Sequence, residues 1–240
     1  MKNKLMMHCG GRLATLDELA LVPVPMPTRT FQPIPHNEFA QIIEKKGREI
    51  LNLDVRSHEY GLSRNGNQVF GLIQYQNGNS ELIPTTAWRS SYDKSLAAGI
   101  ANGKSVFICD NLALTGEFIT IRKHTTNILR DLDNILAAAF ANALLSFTRI
   151  DQDADTMRQE WITTDRGYEL LGRLYGHKVL PSRIFNKAVE EWENPTHPAF
   201  GDRNLWSLYN SCTEALKRSQ IEDVIPRHLL LHERLMSEMF

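Results

Sequence analysis

The chain has 240 residues, enough for one large domain or two small ones with a self-supporting core. Its 42% apolar content excludes disorder as the main state, and its formal net charge of −1 excludes both a global basic field for nucleic acid and a whole-molecule acidic mimic of DNA. Cys9, Cys109 and Cys212 are too few and too scattered for a disulfide framework, and no run of about 18 apolar residues or signal-peptide start is present, so the expected setting is the reducing cytoplasm, with no membrane.

Residues 1–22 are polar and then amphipathic. The stretch 23–35, PVPMPTRTFQPIP, holds five prolines and reads as an arm, either lying on the domain or docking a partner. Asn37 is positioned to cap a helix that begins near Glu38, with Phe39, Ile42, Ile43, Ile50 and Leu51 on one face and Gly47 as a weak point in the middle. The period then shortens. Residues 53–62 and 67–76 read as two strands of a hairpin turned at Asn65-Gly66, both able to take positive φ.

A dense polar stretch follows, from Trp88 to Glu117. Within it, residues 93–101 predict a short helix with Asp93 as N-cap and Gly103 just past its end. Ser105–Cys109 and residues 114–122 predict a second hairpin around Asp110-Asn111. A long apolar stripe from Ile128 to Phe147 predicts the main helix, capped by Thr125 or Thr126, with DQDADTMRQEW continuing or restarting it. Further helices are expected at 165–175 (capped by Thr164), 182–193 and 204–218, and a last one opened by Pro226 near 227–238.

This order predicts an α+β fold: an antiparallel or mixed sheet from two β-hairpins packed on a long helix, with an all-helical C-terminal part. The expected division is an N-terminal segment and proline arm at 1–36, an α+β core at 37–150, and a helical region at 151–240 packed on that core.

Three groups of residues carry candidate chemistry. Arg89, Ser90, Ser91, Asp93 and Lys94 stand before the expected helix, where backbone N–H groups and cations suit an anion. The alternative is that Asp93 only caps the helix while Arg89 pairs with it. Asp110, Asn111 and Glu117 form a central polar motif. With Asp93 and Lys94 they supply the residue types of a magnesium-dependent nuclease, although their spacing matches no nuclease motif. Arg122 and Lys123 form a basic group beside His124, suited to phosphates or to plain solvation. Tyr60, Phe70, Tyr75, Trp88 and Tyr92 are either core or stacking platforms for unpaired bases. His228 and His232 are spaced i, i+4, but HLLLHE lacks the glutamate of a zinc protease, so both are expected to be surface or partly buried histidines and no resident metal is expected. Sequence signatures for nucleotide hydrolysis, dinucleotide chemistry and serine hydrolysis do not occur.

The pieces RSSYDKS and VFICDNLALTGE, with PIPHNEF at 33–39, YGLSRNGNQVFGLI at 60–73 and LWSLYNSCTEA at 205–215, occur in one order over roughly residues 23–220. In this the chain resembles the phage- and plasmid-associated domain-of-unknown-function 932 family. The resemblance implies a mobile-element setting and little more, because that family is itself uncharacterised. Two functions are compatible with it. One is binding of single- or double-stranded DNA in replication, recombination or strand annealing; the hairpin and long-helix order resembles phage annealing proteins in outline. The other is binding and inhibition of a host defence protein without enzymatic activity. Homo-oligomers are compatible with either.

Overall fold

The computed structural model describes residues 11–76, 81–106, 112–114, 119–120 and 128–239. Seven strands are described: β1 (Arg12–Ala14), β2 (Val55–Ser63), β3 (Gln68–Tyr75), β4 (Leu82–Ser91), β5 (Gly99–Val106), β6 (Leu112–Leu114) and β7 (Ile119–Thr120). They form one antiparallel sheet in the order β1 to β6, with β7 also paired to β5. Seven α-helices are described: α1 (Leu16–Ala20), α2 (His36–Leu51), α3 (Ile128–Gln159), α4 (Thr164–Gly176), α5 (Ser182–Glu193), α6 (Leu205–Leu216) and α7 (Ile221–Ser237). The fold is α+β, with the helices concentrated in the C-terminal half.

Alternation along the strands gives the sheet two faces. One presents Tyr60, Leu62, Val69, Ile73, Tyr75, Trp88 and Ile100 to α2 and to Leu132, Leu136, Phe140 and Phe147 of α3. The other presents Phe70, Leu72, Ala87 and Ala101 to Val224 and Ile225 of α7. A third cluster joins Ile150, Ala154 and Met157 of α3 to α4, α5 and α6 around Trp192, Leu208 and Tyr209. Helix α3 therefore runs unbroken through DQDADTMRQ, because the apolar stripe continues at helical spacing onto a second core. Polar pins set its place on the sheet. Asn102 donates to the Ala139 carbonyl at 3.2 Å, and the buried Lys104 ammonium meets both carboxylate oxygens of Asp151 at 2.6 Å.

Several local expectations change. Residues 93–101 make no helix: 92–96 are bends and β5 begins at Gly99. The strand β4 went unread because both of its faces are covered, so its apolar residues show no clean alternation. Helix α2 starts at His36 with Pro35 at its cap, so Asn37 lies inside the first turn. Gly47 is a close-approach site, since a Cβ there would collide with the Tyr75 hydroxyl and lie 3.1 Å from Phe140. Thr163 caps α4 through the Arg166 N–H, one residue earlier than expected. His228 and His232 are both buried. The expected Thr125 or Thr126 cap lies outside the described residues, as does Cys109. No helix among the described residues is long and apolar enough to cross a membrane.

Pro226 lies inside α7 and does not open it. A proline has no N–H, so it leaves the carbonyl four residues earlier without its helical donor. That carbonyl belongs to Glu222, and the Arg89 guanidinium of β4 donates to it. Arg89→Met is expected to cost about 2 kcal/mol, the range of a hydrogen bond to a charged group. In a Pro226→Ala background the helix supplies its own donor, and the same substitution should cost measurably less. Urea melts of the four proteins check this; equal losses in both backgrounds would remove the explanation.

Candidate functional site

Three of the five pieces of sequence quoted above come together at one end of the sheet. The β2–β3 turn, the β4–β5 connection and the start of α2 meet there. Strands β3 and β4 pair Gln68 with Ser91, Val69 with Ser90 and Phe70 with Arg89. Beyond the ladder, the Tyr92 N–H donates to the Asn67 carbonyl at 2.7 Å. The His36 N–H donates to the Tyr92 hydroxyl at 2.9 Å, and the two rings stack with centroids 3.8 Å apart. His36 Nε2 lies 3.0 Å from the Gly66 carbonyl, which fixes that nitrogen as the protonated one.

Gln68 joins the turns. It accepts from Ser63 Oγ and donates to Ser95 Oγ, both at 2.8 Å. Asp93 accepts from the Ser95 N–H at 2.9 Å and from the Ser95 hydroxyl. Partial burial works against the charge of Asp93, but the hydrogen bonds from Ser95 and the nearby Arg64 outweigh it and hold its pKa below the usual carboxylate value. Asp93 thus closes a turn of the type Asp forms with its own downstream backbone, and no helix N-terminus stands behind it.

The other members of the sequence-derived group separate. Ser90 and Ser91 are fully buried, and Ser91 exchanges two 3.0 Å hydrogen bonds with the Leu96 backbone. Arg89 points to α7, and burial lowers its pKa against the opposing pull of Glu222 and Asp223. Lys94 has φ +63° and sets its ammonium 4.9 Å from the Phe31 ring centroid. Tyr60, Phe70, Tyr75, Trp88 and Tyr92 are buried and build the core. Asp110, Asn111, Glu117, Arg122 and Lys123 lie outside the described residues, so the carboxylate spacing of the nuclease reading is not defined. Among the described residues, no group of three His, Cys, Asp or Glu side chains is placed to hold a metal ion.

Two arginines that the sequence reading passed over border an open cleft of about 550 Å³ at this end of the sheet, between the arm and the β2–β3 turn. Arg12 is bound to Glu18 at 2.8 Å. Arg64 stands in the turn with φ +48°, followed by Asn65 at +55° and Gly66 at +88°. The Asn65-Gly66 signal was legible, but the left-handed backbone extends one residue further, at a cost of roughly 1–2 kcal/mol for a residue with a Cβ. Val22 closes the cleft against Gly66, where an added Cβ would lie 3.0 Å from a Val22 methyl. The one signal for Arg64 was its place beside the Asn-Gly turn.

The fourth piece, LWSLYNSCTEA, lies apart. It forms α6, whose Asn210, Ser211 and Thr213 hydrogen-bond back to the helix's own carbonyls inside the helical core. Cys212 is fully buried, which pushes its thiol pKa far up and leaves it unreactive. Comparison of the chain with models of known protein families, with curated proteins and with solved structures returns no match.

Proposed function

We propose that this chain is a non-enzymatic binding protein of a phage or plasmid, and that its target is a host protein such as a defence factor. The observation that carries the reading is the proline arm. Leu19, before it, and Phe31 and Ile34, at its end, are buried in the core. Between these anchors Leu21, Val24 and Met26 are 80%, 44% and 85% exposed. Proline stiffening and anchoring at both ends reduce the entropy lost on docking, and three apolar side chains on such a segment form a contact patch. The mobile-element setting comes from the sequence resemblance.

Nucleic acid is the second reading, favoured by the guanidinium groups of Arg12 and Arg64 at the cleft. It is weakened by their neighbours: Glu18 lies 2.8 Å from Arg12, and Asp93 and Glu222 lie 3.6 and 3.8 Å from Arg64. A groove that tracks phosphates needs cations in excess.

Affinity capture from host lysate with the wild-type chain and with Val24→Ser/Met26→Ser tests the first reading. Both substituted residues are exposed, so folding should be unchanged. A stable host-protein complex that is lost in the variant is the expected result. Fluorescence anisotropy with labelled single- and double-stranded oligonucleotides over a salt series runs beside it. Binding that weakens steeply with salt, together with no captured protein, would replace the first reading by the second.

A further inference from the structure

Helix α3 has one stretch whose outward face does not suit water. Residues 134–148, NILAAAFANALLSFT, carry no charge over 15 positions, about 22 Å of helix. Leu136, Ala139, Phe140, Ala143 and Phe147 turn inward and are buried. On the opposite side Ala138, Ala141, Leu144, Leu145 and Thr148 are exposed, Leu144 at 49% and Leu145 at 74%. A surface helix ordinarily sets charged side chains on that side. The same helix does so beyond both ends of the stretch, with Asp131 and Asp133 exposed before it and Arg149 and Asp155 exposed after it. Two neighbouring exposed leucines inside a charge-free, four-turn face mark a contact surface and not scattered exposure.

The face is complementary to itself when turned end for end. Ala138 and Ala141 stand at its middle, and side chains of that size let two helices approach closely. Asp131 and Arg149 are 18 residues apart, five full turns, so both lie on one flank, one at each end of the stretch. Two antiparallel copies related by a two-fold axis between Ala138 and Ala141 share that flank. Arg149 of each copy then stands beside Asp131 of the other. Parallel pairing instead sets Asp131 beside Asp131 and Arg149 beside Arg149, which repel. Within its own helix Arg149 approaches Asp153 only to 3.6 Å and keeps most of its side chain in solvent.

We infer that α3 docks, through residues 134–148, against α3 of a second copy of this chain, as an antiparallel two-fold dimer. The contact is isologous and closes at two. A four-turn helix pair is smaller than a standard interface of roughly 800 Å² per partner, so the dimer is expected in the micromolar range.

Sedimentation equilibrium of the full chain from about 1 to about 100 μM tests this, with thermal melts by circular dichroism as the check that each variant is folded. Wild type should pass from monomer to dimer across the range. Leu145→Lys places a charge on an exposed position, so the fold should be kept and the dimer lost. Arg149→Glu and Asp131→Arg should each weaken association about tenfold, since the symmetry counts each change twice. The double variant Asp131→Arg/Arg149→Glu should restore it, because the flank is complementary again with the signs exchanged. A wild type that stays monomeric, a dimer that persists in Leu145→Lys, or growth beyond two copies overturns the inference. Reversals that leave association unmoved, or a double variant no better than the single ones, overturn the antiparallel pairing. A monomeric wild type whose capture of a host protein is lost in Leu145→Lys also overturns it and gives the face to that protein.

Discussion

Replacing Gly71 by alanine is expected to destabilise the protein by about 2–3 kcal/mol, at the upper end for overpacking a core. Gly71 of β3 pairs directly with Trp88 of β4, and the Trp88 indole lies flat across it. A Cβ at 71 would overlap the indole ring. The indole cannot retreat: it is fully buried, packs edge-on to Phe39 at 5.4 Å and touches Tyr60 at 6.0 Å between centroids. The sheet and α2 are therefore locked together through one ring resting on one glycine. Trp88→Leu alone should also cost several kcal/mol, through lost contact and a residual cavity. In that background Gly71→Ala should cost under about 1 kcal/mol, giving a coupling of about 2 kcal/mol. Urea unfolding of the four proteins measures it. Additive losses would mean that Gly71 is required for some reason other than the indole.

Acidification should destabilise the fold through His228. This side chain is fully buried on α7, with Nδ1 2.8 Å from the Val224 carbonyl. That bond fixes Nδ1 as the protonated nitrogen, and Nε2 has no partner among the described residues. Burial lowers its pKa from 6.5 to about 4, the Val224 hydrogen bond opposes this, and Lys217 adds to it. A histidine lowered in the folded state is protonated first in the unfolded chain. Stability is therefore highest above pH 6.5, falls as pH drops from 6.5 towards 4, and levels below that. The gap corresponds to about 3 kcal/mol. His228→Asn retains a donor for Val224 and removes the titration. The difference in stability between wild type and variant should narrow in the variant's favour by about 3 kcal/mol between pH 7.5 and 4. A difference that stays constant with pH would show that His228 does not titrate in this window. His232, hydrogen-bonded to Asp153 at 2.8 Å, is present in both proteins and cancels.

Elements with strong local codes were legible. The left-handed turn at Asn65-Gly66, the proline arm, the long α3 stripe and the start of α5 at Pro181-Ser182 each depend on a few neighbouring residues. Elements decided by burial were not. Asp93 and Gly103 supply a start and a stop for a helix, yet residues 99–106 are a strand because β4 offers them a full ladder from Gly99 to Val106. The aromatic residues were ambiguous between core and stacking platform until α2 and α3 covered Tyr60, Tyr75 and Trp88 and α7 covered Phe70. The RSSYDKS piece read as one site, but strand alternation sends Arg89 towards α7 while the turn keeps Asp93 for Ser95. Arg64 meets Asp93 and Glu222 only because the β4–β5 connection and α7 are both brought to its turn.

Fold class and the order of sheet and helices thus follow from patterning, because period, turn chemistry and proline act over a few residues. Which polar groups meet depends on contacts made across great separations in the chain. Glu222 and Arg89 are 133 residues apart, and Asp153 and His232 are 79 apart. No local signal marks Pro226 as tolerable inside a helix, since that depends on the Arg89 guanidinium delivered by β4. The packing of α7 and the arm onto the sheet end decided which polar groups meet there.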